Sequence, residues 1–171
     1  LQAEVPYKAA TLLQEKMDGG SVPKTEKNYR LLSQAWMLSM EDQKAIPALQ
    51  AAAKLAKDGE LDQRLANAFL NVGQYNDCVE SANTAIRKGG LKSPDNIQIS
   101  LGMCLYNLRR YSDAKQAFTN AAKVPRSQRT SAQWIRVIDA EVERNRQIRL
   151  AEEAAAKKRR ELEAKRAAAR A

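Results

Sequence analysis

One three-part pattern recurs three times along this 171-residue chain and constrains its fold more than any other feature. It reads Ala45-Leu49-Ala52, then Cys78-Ala82-Ala85, then Ala114-Phe118-Ala121. A small residue is followed four positions on by one that is large in the first and third copies, then by a small residue again. Copies that begin at residues 45, 78 and 114 have the period of helical solenoids, in which each unit is a pair of helices. A second helix-like stretch precedes each copy. Its marks are Tyr29, Leu32-Ser33 and Trp36 in the first unit. In the second they are Leu65-Ala66 and Phe69, followed by Gly73 and Tyr75. In the third they are Leu101-Gly102 and Leu105, followed by Tyr111. Small residues let two helices approach closely, so Gly102 is expected to face Ala114. Leu105 and Phe118 are expected to fill the space between units.

These marks resemble the tetratricopeptide repeat, two antiparallel helices in about 34 residues. The resemblance implies an all-α, TPR-like helical solenoid of about three and a half repeats, followed by a long C-terminal capping helix. The chain divides into a solenoid over 1–126 (half repeat 1–22; repeats 25–58, 59–93 and 94–126) and a capping helix with charged tail over 127–171. Some positions depart from the family pattern. Cys78 replaces the usual Ala, and Ser33 the usual Gly or Ala. The closing Pro is absent near Asp58 and displaced to Pro94 and Pro125. Gly89-Gly90 fits a helix stop, and Ser93-Pro94-Asp95 the next helix start.

Tyr7 and Ala10 are spaced as Tyr75 and Cys78 are, and as Tyr111 and Ala114 are. Residues 4–18 therefore read as a lone second helix, stopped by Asp18-Gly19-Gly20. With no initiator Met and no signal segment, the chain reads as a piece of a longer protein or a trimmed mature form. Past Pro125, residues Ser127–Ser131 offer N-caps, and Trp134, Ile135, Ile138 and Val142 give a capping stripe at helical spacing. Ile148 and Leu150 read as the last large apolar residues. Ala, Glu, Lys and Arg then dominate: good helix formers, but with no heptad of large residues for a coiled coil.

The formal net charge is +9. Residues 123–171 hold 14 basic and 7 acidic residues, and the preceding 122 hold 15 and 13, so the basicity belongs to the tail. No stretch approaches the ~18 apolar residues of a membrane span. With no His, the commonest general base and most metal sites are gone, and no phosphate-cradling loop appears. A non-enzymatic protein without metal or cofactor is expected. Cys78 and Cys104, the only two cysteines, read either as small core residues or as a disulfide between adjacent repeats in an oxidising compartment.

In TPR arrays the first helix of each unit lines the concave face. By that resemblance the protein-binding positions are Arg30, Gln34, Met37 and Leu38, then Gln63, Asn67, Leu70 and Asn71, then Ile99, Met103, Tyr106 and Asn107. Amides suit a peptide backbone, and Met and Tyr give adaptable apolar contact. Only Arg30 is basic, which disfavours capture of a terminal carboxylate. A protein segment is the expected partner. The alternative is nucleic acid or an anionic membrane surface held by Lys157–Arg160 with Lys165-Arg166. Nucleic acid is disfavoured because no aromatic is interleaved for stacking. If the tail packs on anything it packs on another copy, so homo-oligomerisation would run through it.

A narrower resemblance lies in Gly73–Val79, Gly89-Gly90-Leu91, Leu101–Tyr106 and Gln133–Arg144. These segments are similar to TPR proteins found with TonB systems in gammaproteobacteria. That implies a periplasmic protein accessory to TonB-dependent transport, a setting that makes the disulfide more permissible.

Overall fold

The computed structural model describes residues 4–169 and contains α-helices and one short 3-10 turn, with no strand among the described residues. The helices are α1 (Glu4–Asp18), α2 (Glu26–Leu38), α3 (Asp42–Leu55), α4 (Glu60–Asn71), α5 (Tyr75–Lys88), α6 (Pro94–Asn107), α7 (Tyr111–Ala121) and α8 (Gln128–Ala168); the 3-10 turn is Pro125–Ser127. The expected reach of the last helix to Ala171 lies partly outside the described residues. Local chemistry starts and stops these helices. The Thr25 hydroxyl accepts from the Asn28 amide at 3.3 Å, a side-chain N-cap. Pro94 opens α6 where its missing N–H costs nothing. Acidic residues in the first turns of α2 to α7 oppose the positive end of each helix dipole.

Short turns fold α2/α3, α4/α5 and α6/α7 into antiparallel pairs, and each pair packs on the next. The result is an all-α TPR-like solenoid closed by a long helix, as the threefold register implies. The small positions do what that register requires: Ala45, Ala52, Cys78, Ala82, Ala85, Ala114 and Ala121 are all fully buried. One expected contact differs. A Cβ added to Gly102 would lie 2.7 Å from the tip of the Phe118 ring. The bare face of Gly102 therefore receives Phe118 rather than Ala114. The ring is the largest fully buried side chain among the described residues, and α6 makes room by having no side chain there. Cys78 and Cys104 form a buried disulfide joining α5 to α6, with Cα atoms 6.4 Å apart.

The turn inside each pair needs one residue in the left-handed region. Gly73 holds it in the second unit at φ 76°, and Met40 and Arg109 hold the same place in the first and third at 61° and 59°. A side chain there is strained where glycine is not.

The C-terminal end is closed from several directions. Trp134 stacks parallel on Phe118, with centroids 5.4 Å apart, while Ser131 and Ile138 are fully buried. The expected caps at Ser127–Ser131 form differently. Ser127 makes no N-cap bond to the helix; its hydroxyl donates instead to Asp95 Oδ2 at 2.6 Å. The capping stripe also ends earlier than expected, because Val142 is exposed. Buried Ser131 and Ile138 of α8 match buried Ile97 and Cys104 of α6 in spacing, which makes α8 a fourth first-type helix. In this register Arg136 and Asp139 stand where α6 has Gly102 and Leu105, and both are exposed. From Val142 to Ala169 every residue is exposed. Leu162, half exposed there, is a large apolar residue beyond Leu150, where the sequence pattern places the last one.

Candidate functional site

The first helices make one layer of the solenoid and the second helices the other, with α4 and α6 side by side. After Arg30, Arg64 and Asp95, respectively, α2, α4 and α6 carry no charged residue to their ends. This layer therefore offers a wall of amide and apolar side chains.

Its members differ in what they already hold. Gln34 and Leu38 are exposed, and Met37 and Met103 are half-buried. Arg30 pairs with Glu26 one turn back. The Gln63 Oε1 is buried without a hydrogen-bond partner among the described residues. Asn67 accepts from the Ser100 hydroxyl at 2.7 Å, which ties α4 to α6. Asn71 donates to Asp42 Oδ2 at 2.9 Å, reaching the preceding unit. Asn107, at the matching position in the third unit, donates to the Met103 carbonyl of its own helix at 2.9 Å. Tyr106 packs against Tyr111 and, edge-on, against Trp134, at 5.8 and 5.4 Å. Leu70 and Ile99 are half-buried. Asp42, Ser100 and Trp134 thus belong to this face, although the repeat pattern does not place them there. No spacing rule links them to the amides they touch.

Two cavities lie in the other layer. One of 360 Å³ sits between α3 and α5, lined by Gln50, Lys54, Asp77 and Glu80. The other, of 320 Å³, sits between α5 and α7, lined by Asn83, Gln98, Gln116 and Asn120. They are the same inter-unit groove one repeat apart.

Electrostatics fix the end of the array. Asp95 is buried at the start of α6, and Arg126 donates to both its oxygens. These bonds, with that from Ser127, hold the Asp95 carboxyl far below the ordinary aspartate range against the opposing effect of burial. In the preceding unit Lys88, at the end of α5, makes a comparable tie. It donates to Asp62 and to the Ala53 carbonyl, each at 2.7 Å. At the other end Lys44 lies over the Tyr7 and Trp36 rings at 4.8 and 5.1 Å. Its hydrogen bond to Tyr7, followed by its contacts with Glu41, raises its affinity for the proton.

No protein-family model matches the chain, and no curated protein is similar to it in sequence. Solved structures do share its shape. MamA superposes with a TM-score of 0.69 at 14% identity, over 79% of this chain and 77% of that one. The TPR2B domain of yeast Sti1, solved as a complex with pHsp70, gives 0.60 at 18% identity, over 68% of this chain and 97% of that one. TPR-like repeats of a Podospora kinesin light chain give 0.54 at 14%, over 84% and 95%. At such identities the likeness is one of fold, and the fold is the TPR-like solenoid.

Proposed function

We propose that the chain is a non-enzymatic scaffold whose first-helix layer holds an extended segment of a partner protein. The observation that carries this reading is the uncharged run at the end of all three first helices, which leaves Gln34, Leu38, Met103 and Asn107 along one layer. An amide offers a donor and an acceptor, as a peptide unit does, and Met and Leu supply adaptable contact area. The Sti1 domain was solved as a complex with pHsp70, so the fold is compatible with this use.

The setting we propose is exported and oxidising, supported by the Cys78–Cys104 bond. The likeness to TonB-linked proteins would make the partner a component of energy-coupled uptake. Photo-crosslinking tests the groove. A photoreactive residue at Gln34 or Asn107 should trap the partner, whereas one at Asn83 or Asn120 in the outer groove should not. Gln34→Ala/Leu38→Ala/Asn107→Ala should weaken binding at least tenfold. Unchanged binding, or trapping only from the outer groove, would rule the reading out.

A further inference from the structure

The projecting part of α8 sorts its charges by face. Residues spaced alternately by four and three lie on one side of a helix. Arg144, Ile148, Ala151, Ala155, Lys158, Leu162 and Lys165 form such a series, with Arg166 beside it. No carboxylate falls on that stripe. Glu143, Glu152, Glu153, Glu161 and Glu163 all lie on the remaining surface. There, three of them pair within the helix: Arg146–Glu143, Arg149–Glu153 and Arg159–Glu163, at 3.7, 3.8 and 3.6 Å. Arg144 meets Glu141 at the edge of the stripe. Lys158, Lys165 and Arg166 have no ion-pair partner among the described residues. One side of the arm is close to neutral. The other is positive, with two large apolar residues that are half exposed.

We propose that this stripe lays the C-terminal arm flat on an anionic phospholipid surface. The arrangement suits a bilayer interface. Ile148 and Leu162 can enter the boundary between headgroups and acyl chains. The long stems of Lys158, Lys165 and Arg166 can lie along apolar surface while their charges reach the headgroups. Each basic residue near such a surface contributes an attraction that salt screens. Two other occupants fit less well. A second copy pairing through the same stripe would set cation against cation, because the stripe holds no acid. Nucleic acid would find phosphate contacts but no aromatic for stacking, and Ile148 and Leu162 would sit idle amid them.

The test is sedimentation of the full chain with vesicles of phosphatidylglycerol and phosphatidylcholine, with pure phosphatidylcholine as the control. Binding to the anionic vesicles only, reversed by raised salt, is expected. Lys158→Glu/Lys165→Glu should weaken it by about tenfold or more. Arg146→Glu/Lys157→Glu, with the same change of net charge on the other side, should weaken it by less than about threefold. Ile148→Ser/Leu162→Ser should weaken it by about fivefold or more. All these positions are exposed, so circular dichroism should show an intact fold. Equal loss in both charge variants would reduce the effect to net charge and overturn the oriented stripe. Absence of vesicle binding would also overturn it. So would tighter binding to duplex DNA through the same residues, or dimerisation through the stripe in sedimentation velocity.

Discussion

The first and last described helices of the solenoid treat the apolar face beneath them differently. A stacked unit leaves an apolar face that its neighbour must cover. At the C-terminal end α8 covers it with Trp134, Ile138 and Ser131, and the Asp95–Arg126–Ser127 cluster fastens the connecting turn. The outer surface of α8 is polar at Arg136 and Asp139. At the N-terminal end α1 buries Ala10 and Met17, and Tyr7 meets Trp36 edge-on at 5.5 Å. Val5 and Leu12 on α1 and Leu31 on α2 nevertheless remain exposed, at 73%, 56% and 48%. The difference shows that burying residues on one side of a helix does not by itself make a cap. A cap also needs an outside that water accepts.

Removing the stacking residue at each end separates them most strongly. Trp134→Ala should cost about 3–4 kcal/mol, since it uncovers Phe118 as well. Tyr7→Ala should cost about 1 kcal/mol, the worth of an aromatic edge contact at a partly exposed site. Equal losses in thermal melts would erase the distinction. Next in size is the disulfide. Cys78→Ser/Cys104→Ser should lower stability by about 3 kcal/mol. Hydrogen exchange should then rise in α5 and α6 more than in α1.

The closed end should also respond to acid. The Asp95 carboxyl is held below its unfolded value, so its stabilisation is complete above about pH 4 and is lost as pH falls through the folded value. Asp95→Asn should therefore be less stable than the parent at neutral pH, and the gap should close on acidification. The gap should close only well below the ordinary aspartate range, so a gap already gone at pH 4 would put the stabilisation elsewhere. Smaller still are the strained turns. Met40→Gly and Arg109→Gly should each raise stability by about 0.5–1 kcal/mol, because glycine accepts the left-handed conformation without a Cβ clash. The smallest effect is expected for deletion of residues 151–171. Within ~0.5 kcal/mol stability should not change, as that segment is exposed over its described length.

Helix positions are legible because a solenoid writes its packing locally. Small and large residues recur at fixed places, and glycine and proline mark the breaks. The half repeat at Tyr7 and Ala10 can be read for the same reason. Contacts between units are harder. Asp95 and Arg126 are charged residues 31 positions apart, and nothing in their types marks a buried pair. Gly102 could meet either Ala114 or Phe118, and only three-dimensional packing decides for Phe118. Tyr106 has the position of a groove residue, but Trp134 reaches it from a helix whose sequence suggests only a cap over the last pair. Other features are written in the sequence and easily overlooked. Met40, Gly73 and Arg109 share one repeat position, and the acid-free stripe on α8 follows from residue spacing.

Arg136 and Asp139 act on α8 much as a stop codon acts on a message. The helix is otherwise a complete first half of a unit: it is in register, it packs on α7, and it presents Ile135 where the others have Leu. Without those two side chains it would invite a further second helix, and the array would have nothing to say where it ends. The C-terminal limit of the solenoid is therefore marked by two polar residues on its last first-type helix. Lengthening it by a unit would require changing those residues before any new helix could settle.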